Sequence, residues 1–67
     1  MKNYSIIKQE ECQGMIYYEI IGKNIAQCQE DINKLPNIAT GSIFYDISTK
    51  SYHMMYYEGE NKVWKEQ

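Results

Sequence analysis

The sequence predicts a small α+β domain of order β-β-α-β-β-β, in which one short helix packs with an antiparallel hairpin and a three-stranded meander. Short runs rich in isoleucine and tyrosine alternate with polar residues, as half-buried strands do. One segment, residues 25–35, instead carries apolar residues at helical spacing. Polar segments separate these runs, and the four glycines of the chain lie in them. The whole chain, 1–67, is expected to form a single domain.

The first two strands are predicted at residues 4–9 and 15–21, with a polar turn between them that ends at Gly14. Because their connection is short, the two strands are expected to pair as an antiparallel hairpin. Successive side chains of a strand point to opposite faces. The face of the second strand that we expect in the core carries Ile16, Tyr18 and Ile20.

A helix of about three turns is predicted to follow Asn24. The Asn24 side chain is expected to act as the N-cap, because its oxygen can accept a backbone N–H of the first turn. Pro36 disfavours a helical conformation at Leu35, so the helix should end by about Lys34. The apolar stripe that would face the sheet consists of Ile25, Cys28, Ile32 and Leu35.

Three more strands, at residues 42–48, 51–57 and 62–65, form the predicted meander. The turn before the last strand contains Gly59, which suits a positive φ. In the third strand one face carries Ile43, Tyr45 and Ile47. In the fourth strand Tyr52, Met54 and Tyr56 share one face, and His53, Met55 and Tyr57 share the other.

Two similar segments, residues 14–23 and 41–50, align without gaps and share five of ten residues. One interpretation is a duplicated strand-and-turn unit that would place related strands in similar environments. The other is coincidence, because strands with the same alternating pattern select similar residues. Coincidence is favoured, because the shared alternating pattern already explains much of the match and two units are fewer than a repeat array needs.

The composition argues against several functional classes. The net charge is −2, and all seven basic residues are lysines scattered along the chain, so nucleic-acid binding is not expected. No stretch approaches the roughly 20 apolar residues of a membrane span, and the N-terminal residues lack the pattern of a signal peptide. We therefore expect no membrane association, and a reducing cytoplasm in which Cys12 and Cys28 stay free thiols.

Residue types that carry out catalysis are sparse. His53 is the only histidine, and it has no recognisable nucleophile or acid partner at a suitable spacing. Cys12 lies beside two glutamates, which raise rather than lower the pKa of a thiol, and no C-x-x-C pair suggests a metal. We expect no enzyme activity, no cofactor, no metal and no small-molecule substrate. Oligomerisation or docking is the expected additional source of stability for so short a chain.

The second half of the chain contains a short motif that includes Leu35-Pro36, Gly41, Tyr57-Glu58-Gly59 and Trp64. This motif resembles that of small head-decoration, head-fibre and tail proteins of tailed bacteriophages, although Glu58 stands where the pattern usually has aspartate. The resemblance implies a non-enzymatic virion structural or accessory protein, a component of capsid or tail. Such a protein is made in the bacterial host cytoplasm and becomes part of the virion. Its partners would be other phage structural proteins or further copies of itself.

The seven tyrosines either fill the faces of the sheet or supply rigid contact residues, and both uses are compatible. With the resemblance, the contact surface is expected on the meander. The candidate interface residues are Tyr17, Phe44, Tyr52, Tyr57 and Trp64. An alternative function is a small cytoplasmic regulatory binding protein, such as a phage-encoded inhibitor of a host protein.

Overall fold

A computed structural model describes residues 3–67 as one mixed sheet of five strands with a short helix on one of its faces. The elements are β1 (Tyr4–Cys12), β2 (Met15–Gly22), α1 (Ile25–Ile32), β3 (Ile43–Asp46), β4 (Ser51–Glu58) and β5 (Asn61–Glu66). The prediction of a small β-rich domain with one short helix is confirmed. The first strand and the final strand are longer than predicted, and the third is shorter.

The strands follow the order β1-β2-β3-β4-β5 across the sheet. β1 and β2 form an antiparallel pair, and β3, β4 and β5 form antiparallel pairs in succession. β2 and β3, however, are neighbours that run parallel, a pairing that the sequence analysis did not anticipate. Parallel neighbours need a long crossover connection, and residues 23–42, which include α1, provide it.

The parallel seam begins before β3, where the backbone of residues 37–42 runs beside β2. Ile16 exchanges hydrogen bonds with this segment: its N–H donates to Asn37 O and its C=O accepts from Ala39 N–H, both at 2.7 Å. The buried Ser42 hydroxyl then accepts the Tyr18 N–H at 3.2 Å and donates to Ala39 O at 2.7 Å. Side-chain bonds thus satisfy backbone groups where the regular ladder has not yet started.

The core lies between α1 and one face of the sheet. The predicted apolar stripe faces the core: Cys28 and Ile32 are buried, and Ile25 and Leu35 pack against the buried cluster, although α1 has eight residues rather than three turns and Leu35 lies beyond its end. The buried apolar side chains are Tyr18, Ile20, Cys28, Ile32, Ile38, Phe44 and Met55. In β3 the inward-facing residues are therefore Phe44 and Asp46, and Ile43 and Tyr45 point away from the helix.

The start of α1 has the predicted cap. Asn24 lies in an extended conformation, and its Oδ1 accepts the N–H groups of Ala26 at 2.9 Å and Gln27 at 3.4 Å. The helix ends at Ile32, with Asn33 as its C-cap, two residues before the limit that Pro36 predicts. The Asn24 side chain therefore accounts for the start of this helix, whereas Pro36 only sets a limit that the helix does not reach.

Asp46, at the end of β3, connects the helix to the β3–β4 turn. Its Oδ2 accepts the Ile25 N–H at 3.0 Å, so a carboxylate from the sheet satisfies one more amide of the first helical turn. Its Oδ1 accepts the Ser48 hydroxyl at 2.5 Å and the N–H groups of Ser48 at 2.8 Å and Thr49 at 3.2 Å. The Ser48 hydroxyl, followed by the Ile25 amide, lowers the pKa of this carboxyl below its ordinary value.

We expect Asp46→Asn to lower the Tm at neutral pH, because the amide nitrogen cannot accept these hydrogen bonds. A carboxyl whose pKa is lower in the folded state stabilises the fold above its unfolded pKa of about 3.9. That contribution disappears as the pH falls through the lower folded-state value. The difference in Tm between wild type and Asp46→Asn should therefore be constant near neutrality and shrink below about pH 4. Thermal unfolding followed by circular dichroism from neutral to acidic pH measures it.

Glu60 provides the control, because it is an exposed carboxylate in the β4–β5 turn. Glu60→Gln removes the same charge without removing a buried acceptor, and it should change the Tm little. An Asp46→Asn variant as stable as Glu60→Gln at neutral pH would contradict the role of Asp46 as a buried acceptor.

The two similar segments at residues 14–23 and 41–50 lie in different environments. Tyr18 points into the core, whereas Tyr45, which aligns with it, points away from the helix. The sheet pairs Glu19, not Ile16, with Ile43, a shift of three residues from the sequence alignment. The equivalent environments that a duplicated strand would imply are therefore not found.

Candidate protein-binding face

The described residues contain two free thiols and no cluster of metal-ligating side chains. Within residues 3–67, no group of three or more histidine, cysteine, aspartate or glutamate side chains is placed to hold a metal ion. Cys12 and Cys28 are free, as expected. Burial raises the pKa of the Cys28 thiol, whose Sγ donates to Asn3 O at 3.5 Å, so this thiol stays protonated. None of the helices in this part of the chain is long and apolar enough to cross a membrane.

One face of the sheet is covered by the helix layer, and the other is not. Pairing across strands places residues of matching position on the same face. α1 and the segment that follows it cover the face that holds Tyr18, Phe44 and Met55. The face on the other side, which we call the open face, is formed by Tyr17, Ile21, Ile43, Tyr45, Tyr52, Met54, Tyr56 and Val63.

Aromatic and aliphatic side chains dominate the open face. Tyr52 is its most exposed member, with 56% of its surface accessible, and Met54 is also exposed. The rings of Tyr45 and Tyr52, on neighbouring strands, lie with centroids 4.9 Å apart at 55°. Such tyrosines lose little rotamer entropy on binding and offer both an apolar ring and a hydroxyl. A continuous surface of this kind is typical of a protein contact site.

Charged residues flank the apolar centre in a defined order. One row across the sheet runs from Lys8 on β1 through Glu19 on β2, Ile43 on β3 and Met54 on β4 to Lys65 on β5. Glu19 is half-buried and accepts the Tyr17 hydroxyl at 3.0 Å. Lys65 is exposed, and the ion pairs among the described residues involve Lys8 and Lys34 instead. Lys8 lies 3.8 Å from Glu10 in an exposed ion pair, so the row carries an acidic residue on β2 and, on β5, a basic residue that takes part in neither of these ion pairs.

The five predicted interface residues do not all lie on the same face of the sheet. Tyr17 and Tyr52 lie on the open face. Phe44 is 0% exposed in the core, so its side chain offers no surface to a partner and we remove it from the interface. β3 is a central strand whose inner face lies beneath the helix layer, which is the physical reason for this correction.

Trp64 and Tyr57 lie on the helix side of the sheet and bond within the chain. The Trp64 ring packs edge-on against Phe44, with centroids 6.3 Å apart, and its Nε1 donates to Asn33 Oδ1 at 2.7 Å. The Tyr57 hydroxyl donates to Ile38 O at 2.7 Å. These two aromatic residues fasten the α1–β3 connection onto β4 and β5. They are therefore not part of the open face.

The rest of the open face is not among the predicted interface residues, although Tyr52, Met54 and Tyr56 share one face of the predicted fourth strand. The unpredicted members are Ile21, Ile43, Tyr45, Met54, Tyr56 and Val63. Strands β2 to β4 carry apolar residues on both faces, so alternation alone does not say which face the helix covers. The sequence does carry one indication of an uncovered apolar face, because its strands contain more apolar residues than a single short helix can cover.

A shallow hollow lies at one end of the sheet. It has a volume of about 230 Å³ and lies between the start of β1, the end of β2 and Ile47. Small-molecule sites usually occupy about 300–1,000 Å³ and enclose most of the ligand. This open hollow is smaller, so the open face is the better candidate site.

Comparison of the chain with protein-family models, with curated proteins and with solved structures gave no match. The choice of candidate site therefore rests on the geometry of the open face.

Proposed function

We propose that this chain is a non-enzymatic protein-binding module that packs its open face against another protein chain. The observation that carries the proposal is the continuous set of eight apolar and tyrosine side chains on the sheet face without a helix. A sheet that remains in water on one side normally presents polar residues there. Here the polar residues are concentrated on β1 and at the borders, while the centre is apolar.

As the more specific form of this proposal, the module is a structural or accessory component of a bacteriophage virion or phage-like particle. Its support is the resemblance of the motif from Leu35 to Trp64, together with the small, tyrosine-rich chain. A capsid or tail lattice offers many identical binding positions, and each bound copy gains stability from the contact. Proteomic measurement of purified particles tests it. Detection only in the lysate of producing cells, and never in purified particles, contradicts it.

The alternative, a cytoplasmic regulator of a host protein, makes a different prediction for the same preparation. Affinity purification of the tagged chain would then recover one host protein in stoichiometric amount and no particle protein. Recovery of particle proteins alone would exclude the regulator.

We expect Tyr52→Glu to reduce the amount of the chain in purified particles by about tenfold or more, because truncating or charging a central aromatic contact costs about 2 kcal/mol. Tyr52 is suited to this test because its ring is largely exposed, so the fold does not depend on it. Quantitative mass spectrometry of the particles measures the effect.

Gln27→Glu is the matched control, because it adds the same charge at an exposed position of α1, on the opposite layer. It should bind particles as the wild type does. Equal incorporation of Tyr52→Glu and Gln27→Glu would show that the open face is not the binding surface.

A further inference from the structure

We propose that the open face binds a second copy of this chain, packed face to face about a two-fold axis that runs parallel to the strands between β3 and β4. This inference rests on the proposed function, since it names the partner of the same face. The result would be a two-layer β-sandwich with a helix on each outer side.

The order of charges across the sheet supports a second copy as the partner. A two-fold axis in this position exchanges β2 with β5 and β3 with β4. In the row described above, Glu19 of one copy then faces Lys65 of the other, and this contact occurs twice. The same rotation places Ile43 over Met54 of the second copy. The face is therefore complementary to itself in both charge and apolar character.

The alternative in-plane axis, perpendicular to the strands, lacks this complementarity. An axis of this kind that runs along the row of Glu19 and Lys65 would leave each strand over the same strand of the other copy, so Glu19 would face Glu19 and Lys65 would face Lys65. Like charges in direct opposition disfavour an interface by several kcal/mol. The charge pattern thus selects both the partner and the axis.

The distances suit such a packing. Sheets stack about 10 Å apart and neighbouring strands lie about 4.8 Å apart, so Glu19 and Lys65 each lie roughly 7 Å from the axis. Packed sheets are usually rotated by about 30°, a displacement that the long lysine and glutamate side chains can span at this radius.

The tyrosines fit the same arrangement. Tyr45 and Tyr52 are cross-strand partners on either side of the proposed axis, so each faces the other residue of the second copy. Four rings thereby meet near the centre of the interface, where aromatic residues contribute most to binding. A standard interface takes about 800 Å² from each partner, roughly a sixth of the 4658 Å² accessible surface of this chain. One broad face of a two-layer domain supplies an area of this order.

Charge inversion tests the proposal. Glu19→Lys alone places two lysines in opposition, and Lys65→Glu alone places two glutamates in opposition. Each variant should raise the Kd of self-association by about tenfold or more. An equimolar mixture of the two variants should associate again, because Glu19→Lys of one chain faces Lys65→Glu of the other. Sedimentation equilibrium across a wide concentration range measures the Kd, and circular dichroism verifies that each variant is folded.

Lys34→Glu is the matched control, since it inverts a charge on the helix layer, where the existing ion pair with Glu30 is exposed. It should self-associate as the wild type does. Failure of the mixture to associate, or unchanged association of the single variants, would overturn the proposed axis. A wild-type chain that stays monomeric at every concentration would overturn the second copy as partner. In that case the proposed function is still judged separately, by the Tyr52→Glu measurement on particles.

Discussion

Phe44→Ala is expected to leave most of the protein unfolded in buffer without denaturant. Phe44 is completely buried on the central strand β3, and its ring forms a T-shaped contact with the ring of Trp64. Truncating a buried phenylalanine to alanine costs about 3–5 kcal/mol. The core of a domain below about 70–80 residues rarely supplies more than about 3–5 kcal/mol in total. Far-UV circular dichroism and urea unfolding measure the loss.

Tyr52→Ala is the matched control, because it removes a ring of similar size from the neighbouring strand on the open face. At a concentration where the wild-type chain is monomeric, it should cost less than about 1 kcal/mol, as exposed substitutions do. A Phe44→Ala variant as stable as Tyr52→Ala would mean that the two faces of β3 have been assigned the wrong way round.

Gly22→Ala should also be strongly destabilising, although alanine is ordinarily no worse than glycine in a strand. A Cβ at this position would lie 2.6 Å from Phe44 Cζ and 2.9 Å from the backbone oxygen of Asn3. The same oxygen accepts the Lys23 N–H at 3.1 Å, so moving it weakens the contact between the start of β1 and the end of β2. Overpacking of this kind costs about 1–3 kcal/mol, which chemical denaturation can resolve.

The double variant Gly22→Ala/Phe44→Leu distinguishes steric conflict from other causes. Shortening the ring removes the closer of the two contacts, so the double variant should be more stable than the sum of the single losses predicts. Gly59→Ala is the control for backbone strain, because Gly59 has a φ of +63° and nothing lies within 4 Å of its added Cβ. It should cost about 1 kcal/mol. Strict additivity in the double variant would contradict the proposed clash with Phe44.

The local elements were largely predictable because their signals are short in range. The N-cap at Asn24 and the end of the helix before Pro36 depend on neighbouring residues, and both appear in the structure. The apolar stripe of α1 and the inner face of β2 depend on spacing alone, and their central residues, Cys28 and Tyr18 among them, are buried.

The candidate site was less predictable, because it depends on where the helix packs. Of the predicted interface residues, Tyr17 and Tyr52 lie on the open face, whereas Phe44 lies in the core. In a strand with apolar residues on both faces, the local sequence does not indicate which face is buried. The burial of Asp46 was not predictable either. An aspartate at the end of a strand suggests exposure to solvent, yet this side chain is 2% exposed and accepts backbone N–H groups from two separate elements.

The sequence by itself determined the approximate positions of the strands, the helix and its N-cap, and the shortage of groups that carry out catalysis. Only the tertiary structure decided that β2 and β3 run parallel, because that pairing is made by residues far apart in the chain. It also decided that Phe44 points inward, into the space that Gly22 leaves free. With one helix for five strands, one face of the sheet is covered and the other is not, and this unequal cover creates the open face.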